Sequence, residues 1–207
     1  MKLISAAFAT FAFLAAAVNG SPMMRQEAEG GNPAQQQQQS SNCNLTGTYK
    51  KGTDISACST VTVGPLSVPA GVTLDLSRAK AGATIRFTGT TTFGTLKWNG
   101  PLVTLSGTDL KVKGNGKLDG QGACIVDSMY TTLTGLTLDS KAGNGVATNT
   151  DGFDLSCNDR ITITGNKIYN QDDCLAMQSS TNTIFSNNYC CGGHGISIGS
   201  LGGNAVD

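Results

Sequence analysis

Three aspartates and the chain's single histidine have the types and the spacing to do chemistry together: Asp151, the adjacent pair Asp172 and Asp173, and His194. Gly152-Phe153-Asp154-Leu155-Ser156 aligns with Cys174-Leu175-Ala176-Met177-Gln178, and both align with Gly195-Ile196-Ser197-Ile198-Gly199. From Phe153 to Leu175 and on to Ile196 the steps are nearly equal, a period of roughly 22 residues. Immediately before the three aligned segments stand Asp151, Asp173 and His194. If each segment is one coil of a stack, these side chains form a column with steps of about 4.8 Å, and Asp172 lies beside it. A turn's preference for polar residues accounts for any one of these positions. It accounts poorly for a whole column with a second carboxylate attached. Stacked carboxylates do not all ionise freely, so a pKa within the group should rise. One carboxyl can then donate a proton while another holds a water, which is what glycoside hydrolysis needs without metal or cofactor. Calcium would accept the three aspartates, but it prefers oxygen ligands and His194 offers nitrogen. Adjacent residues on an ideal strand face opposite ways, so Asp172 and Asp173 share a groove only if the chain bends there.

The elements that must hold these residues are short strands. After residue 42, stretches rich in Thr, Val, Ile and Leu alternate with Gly, Asn and Asp, for example Val61–Val63, Thr84–Phe87 and Leu110–Val112. Helix signals are almost absent. Internal repetition separates a solenoid from a sandwich. A second repeating strand sets Ile161–Asn166 against Thr183–Asn187, with Asn187 stacked over Asn166 in an amide ladder. Leu133–Leu138 resembles both, with a longer spacer at 139–148. The expected fold is all-β: a right-handed parallel β-helix with coils of about 21–25 residues. Trp98 and Tyr130 could flank a sugar site, but for isolated aromatics packing in the core is the expectation.

The ends and the composition limit the rest. Residues 1–20 read as a signal peptide, with Lys2 ahead of the apolar run Leu3–Val18 and small residues at Gly20 and Ser21. That run is too short for a convincing membrane span. Residues 21–42, with five successive glutamines, read as a disordered leader, leaving 43–207 as one domain. Seven cysteines in an exported chain point to disulfides with at least one thiol left over. Cys43 and Cys58 are separated by nearly the same stretch as Cys174 and Cys190, but spacing alone leaves the connectivity open. Asn44-Leu45-Thr46 is a glycosylation sequon. The net charge is zero, which offers no basic face for nucleic acid, and no cluster of Lys or Arg lies near the aspartates in sequence.

Asn149 to Leu155 reads NTDGFDL, Tyr169 to Ala176 reads YNQDDCLA, Gly192 to Gly199 reads GGHGISIG, and Leu118 to Gly122 reads LDGQG. In order and spacing these motifs resemble those of the polygalacturonases, glycoside hydrolase family 28, over about residues 43–207. The resemblance implies hydrolysis of α-1,4-linked galacturonan (pectin, polygalacturonate) with inversion, by a secreted monomer that needs no metal or other cofactor. It implies that Asp172 is the general acid, that Asp151 and Asp173 activate water, and that His194 tunes the acid. Asn149 and Gln171 would contact the substrate, and Cys43–Cys58 and Cys174–Cys190 would be disulfides. Plant polygalacturonase-inhibiting proteins would be partners. Inverting enzymes hold acid and base carboxyls about 6.5–9.5 Å apart.

Two departures carry expectations of their own. The chain stops at Asp207, before the Arg-Ile-Lys motif and the tyrosine that grip a substrate carboxylate in the family. It also passes from Gly122-Ala123 directly to Cys124-Ile125-Val126, where the family has about two more coils. A core broken at its middle and a chain with little or no activity are therefore expected, with Cys124, Cys157 or Cys191 as the unpaired thiol. One rival is a calcium-dependent pectin lyase with an arginine base, for which Arg86 and Arg160 lack a matching setting. Others are a rhamnogalacturonan or xylogalacturonan hydrolase and a non-catalytic decoy for inhibitors.

Overall fold

The computed structural model describes residues 43–98, 100–120 and 124–199. The expected signal peptide at 1–20, the leader at 21–42, the Gly122-Ala123 junction and Asp207 lie outside the described residues. Among those described, every pairing of strands is parallel. The long strand Thr60–Val68 turns a corner at Gly64, pairing first with Thr84–Phe87 and then with Thr90–Phe93. From its first half one face continues through Lys111–Gly114, Thr132–Thr134, Thr162–Thr164 and Ile184–Ser186. From its second half another continues through Lys117–Asp119, Thr137–Asp139, Lys167–Tyr169 and Tyr189–Cys191. A third face stacks Leu74–Leu76, Val103–Thr108, Cys124–Met129, Phe153–Leu155, Asp173–Met177 and Gly195–Ile198. The chain visits the three faces in turn on each coil, as a right-handed parallel β-helix does.

Alternation along each strand sends one set of side chains inward. Val61, Ile85, Val112, Leu133 and Ile163 stack in one inner column, all buried. Leu74, Val103, Phe153 and Leu175 stack in another. Each coil alone buries too little, and stacking completes the core at about 1.5–3 kcal/mol per fully buried aliphatic side chain. On the third face the expected period holds from Val103 to Cys124, from Phe153 to Leu175 and from Leu175 to Ile196. The coil from Cys124 to Phe153 runs longer, as the spacer at 139–148 implied, and so does that from Leu74 to Val103, because both carry loops. The later loop, with a 3-10 turn at Lys141–Gly143, carries Asn149 and Asp151.

Several expectations are corrected. The core is not broken at Cys124: Cys124–Met129 pairs in register with Val103–Thr108 before it and Phe153–Leu155 after it, and Val126 is fully buried. The residue over Asn166 is Asn188, whose Oδ1 accepts from the Asn166 backbone N–H (2.9 Å) and Nδ2 (3.0 Å). Asn187 instead takes a left-handed turn conformation, φ +54°, in line with Gly165, Gly135 and Gly114 on earlier coils. Tyr130 is exposed; the Arg160 guanidinium lies over its ring, and Arg160 also pairs with Asp159. Trp98 is half-buried. Cys157 and Cys191 are free and exposed, and the Cys124 side chain lies outside what is described. Disulfides join Cys43 to Cys58 and Cys174 to Cys190.

Candidate active site

The turns between the second and third faces form a ridge, and all the candidate residues stand on it. Asp173 pairs with Gly195 but Leu175 pairs with Ile196, so Cys174 is one residue more than its neighbour strand matches. This bulge changes the expected column. Asp151 still lies beside Asp173, with the Gly152 N–H donating to the Asp173 carbonyl (2.8 Å). His194, however, stands over Asp172: its N–H donates to the Asp172 carbonyl (2.9 Å), and its Nδ1 lies 3.2 Å from Asp172 Oδ1. A bulge bends its strand and re-aims side chains, which is how two adjacent aspartates come to share one groove. Cys174 is buried at the bulge and is tied to Cys190 on the second face.

The carboxylates converge on one backbone amide. The Asp173 N–H donates both to Asp151 Oδ1 (3.1 Å) and to Asp172 Oδ1 (2.9 Å). The Asn149 N–H donates to Asp172 Oδ2 (3.1 Å), and Asn149 reaches this position with a left-handed φ of +54°. One atom each of Asp172, Asp173 and His194 lies within 4.8 Å of the others. Two carboxylate oxygens and an imidazole nitrogen suit proton transfer better than calcium, whose shell is oxygen.

Buried polar side chains hold the ridge in shape. Asn170 is buried, and its Nδ2 donates to the carbonyls of Asp172 (3.0 Å) and Asp173 (2.7 Å). Thr150, also buried, accepts from the Gln171 N–H (2.9 Å) and donates to Gln171 Oε1 (3.2 Å). Gln171 Nε2 donates to the Ser140 carbonyl (3.0 Å). The Gln171 amide therefore braces the 140–150 loop, with one amide hydrogen left over, while the Asn149 side chain is exposed beside Asp172. Gly193 has no room for a Cβ, which would overlap the Asp172 carbonyl oxygen.

A fourth carboxyl joins the cluster. Asp154 is the outward-facing middle residue of Phe153–Leu155, whose flanking residues are fully buried. Burial, followed by the charges of Asp151, Asp172 and Asp173, pushes its pKa up to about 6. Burial and then the Asp172 carboxylate also raise Asp151. Within the expected group the rise falls on Asp151, and it reaches Asp154 as well. Asp154 lay unread in the NTDGFDL motif, although the alternation of Phe153 and Leu155 as apolar neighbours marks it as facing out. Among the described residues no Lys or Arg forms an ion pair with any of the four carboxylates. Arg86 stands on the first face and Arg160 pairs with Asp159, so neither is set as a base for elimination.

Comparison with known proteins agrees with this constellation. The model for Glycosyl hydrolases family 28 matches residues 58–132 and 124–207. The chain belongs to this family. The two matches of the family 28 model overlap on the strand that joins Val103–Thr108 to Phe153–Leu155. A polygalacturonase of Penicillium expansum is 39% identical over 213 residues, covering 79% of this chain and 56% of that protein. Endopolygalacturonase B of Aspergillus niger is 39% identical over 206 residues, covering 79% and 57%. Endopolygalacturonase I from Stereum purpureum, solved in complex with two galacturonate, has 34% identity and a TM-score of 0.57, covering 74% of this family 28 chain and 60% of its own. The chain spans less than two thirds of the length of each.

Proposed function

We propose that this chain carries the hydrolytic centre of an endo-acting polygalacturonase, which cleaves α-1,4-galacturonosyl bonds in polygalacturonate with inversion. The observation that carries the reading is one backbone N–H, that of Asp173, shared by the carboxylates of Asp151 and Asp172, with His194 against Asp172. Protonated Asp172 donates its proton to the glycosidic oxygen as the bond to the anomeric carbon breaks. A water oxygen bonds to that carbon from the other side, and its proton passes to Asp151 or Asp173. The attacking water is held by Asp151 and Asp173. His194 holds Asp172 in place, and the exposed Asn149 side chain is available to the sugar. By the same reading the chain is exported, glycosylated at Asn44, active as a monomer and a target of plant polygalacturonase-inhibiting proteins. The apolar N-terminal run and the fungal relatives support export.

A reducing-end assay on polygalacturonate tests this. Release of new ends is expected, at a low rate because no described Lys or Arg pairs with the acidic cluster. Asp172→Asn should lower it by about 100-fold or more while the β-rich circular dichroism spectrum stays unchanged. Equal rates in the two proteins, or an unsaturated product absorbing in the ultraviolet, would overturn the reading.

A further inference from the structure

The first face brings Arg86 beside Lys111 and Lys113, a cationic surface assembled from two coils. Lys111 and Lys113 both point outward from Lys111–Gly114, with Val112 buried between them. Arg86, on the preceding coil, pairs in register with Lys113 and is also exposed. With strands about 4.8 Å apart and i, i+2 neighbours about 6.6 Å apart, the three charges lie within about one Debye length and act together. Threonine flanks them: Thr84 and Thr132 lie in register with Lys111, and Thr134 with Lys113. No outward position on the strands Thr84–Phe87, Lys111–Gly114, Thr132–Thr134 and Thr162–Thr164 carries a carboxylate. Among the described residues none of the three cations enters an ion pair. The second face is built the other way: its outward Asp119 and Asp139 hold Lys117 at 2.9 and 3.1 Å.

We infer that this flat face around Arg86, Lys111 and Lys113 is a docking surface, separate from the aspartate ridge, for a linear polyuronide with free carboxylates. The choice of ligand rests on the polygalacturonase reading, and three features of the face agree with it. The cations match a carboxylate borne on successive sugars, and the threonine hydroxyls match sugar hydroxyls. The flat parallel sheet fits an extended chain. A single-stranded nucleic acid fits less well, because the face has no aromatic side chain on which bases could stack. The docking face also supplies what the ridge lacks. Four carboxylates there meet an anionic polymer with no described cation paired to them, whereas the first face attracts that polymer and holds it on the protein.

Binding measured without turnover tests the inference. In affinity electrophoresis through gels containing polygalacturonate, the Asp172→Asn chain should be retarded. Adding Arg86→Gln, Lys111→Gln and Lys113→Gln should weaken binding by about tenfold at low salt. A matched control on the Asp172→Asn background, with Lys50→Gln, Lys51→Gln and Lys80→Gln, removes the same charge elsewhere and should bind nearly as the parent does. Fully methyl-esterified pectin should retard neither. Equal weakening by the control, or none by the first-face variant, overturns the docking surface. If the Asp172-intact chain still releases reducing ends, the hydrolase reading stands in either case. Failure of every chain to bind polygalacturonate overturns the docking surface together with the substrate class. Retardation only by single-stranded DNA would put a nucleic acid on this face and overturn the proposal as well.

Discussion

Asp154 is a titrating side chain through which the cluster couples to folding. Its carboxyl moves from an ordinary value of 3.8 to about 6, so the folded chain keeps this proton to a higher pH than the unfolded chain does. Between those two values the unfolded state ionises first. Stability linked to Asp154 is therefore present at low pH, falls as pH rises towards 6, and stays lost above it. Asp154→Asn removes the titration and should raise Tm relative to the parent above pH 6 by roughly 2–4 °C, the equivalent of about 1 kcal/mol in a chain of this size. Asp151 shifts in the same direction and remains in both proteins, so the difference between their Tm–pH curves isolates Asp154. Parallel curves across pH 4–7 would remove Asp154 from this role.

The bulged strand Asp173–Met177 decides how the side chains meet. The extra residue, Cys174, advances the register by one on the side of Asp172, and the bond to Cys190 anchors it. The turn before Gly195–Ile198 is matched to it through Gly193, which packs against the Asp172 carbonyl and lies where a Cβ would also meet Asn170 Oδ1 at 2.7 Å. Gly193→Ala should push this turn away and withdraw His194 from Asp172. The turn is exposed, so the expected cost in stability is about 1 kcal/mol, within the common range for a point mutant, while hydrolysis falls about tenfold or more. Urea denaturation and a reducing-end assay on the same preparation separate the two effects. A loss of stability with unchanged turnover would mean that His194 does not need this position.

Across the whole stack, stability is the sum of coils that each bury the next. Phe153 is fully buried between Cys124 and Leu175 in register, in the coil that also bears Asp151 and Asp154. Phe153→Ala should cost about 3–5 kcal/mol and lower the urea midpoint. Because neighbouring coils lose their shared surface, hydrogen exchange should quicken in Val126 and Leu175 as well as at the mutated strand. A loss of protection confined to 152–156 would show that the coils are less coupled than their packing indicates. The charges are segregated on the same large scale. A chain of zero net charge presents carboxylates along one ridge and, on another face, three cations that form no ion pair among the described residues.

Composition and period were sufficient for the coil. A β-helix repeats at a near-constant interval, so the stacking of Phe153 on Leu175 and of Leu175 on Ile196 is written as a regular offset along the chain. The same regularity places Asp151 beside Asp173 and marks the motif residues as neighbours. It fails wherever one coil departs from the period. The bulge at Cys174 moves His194 from Asp173 to Asp172. Asn188, and not Asn187, lies over Asn166 because the strands there keep the same interval as Phe153 to Leu175, one residue more than the expected match allowed. The join at Cys124 looked like a missing piece of core, yet the strand finds its register because inward side chains stack whenever the coil closes. Burial and charge are collective, so the elevated carboxyl of Asp154 depends first on its burial in the stack and then on three other aspartates, two of them a coil away. For the same reason the cationic face exists only once Arg86 and Lys113, a full coil apart in the chain, lie on adjacent strands.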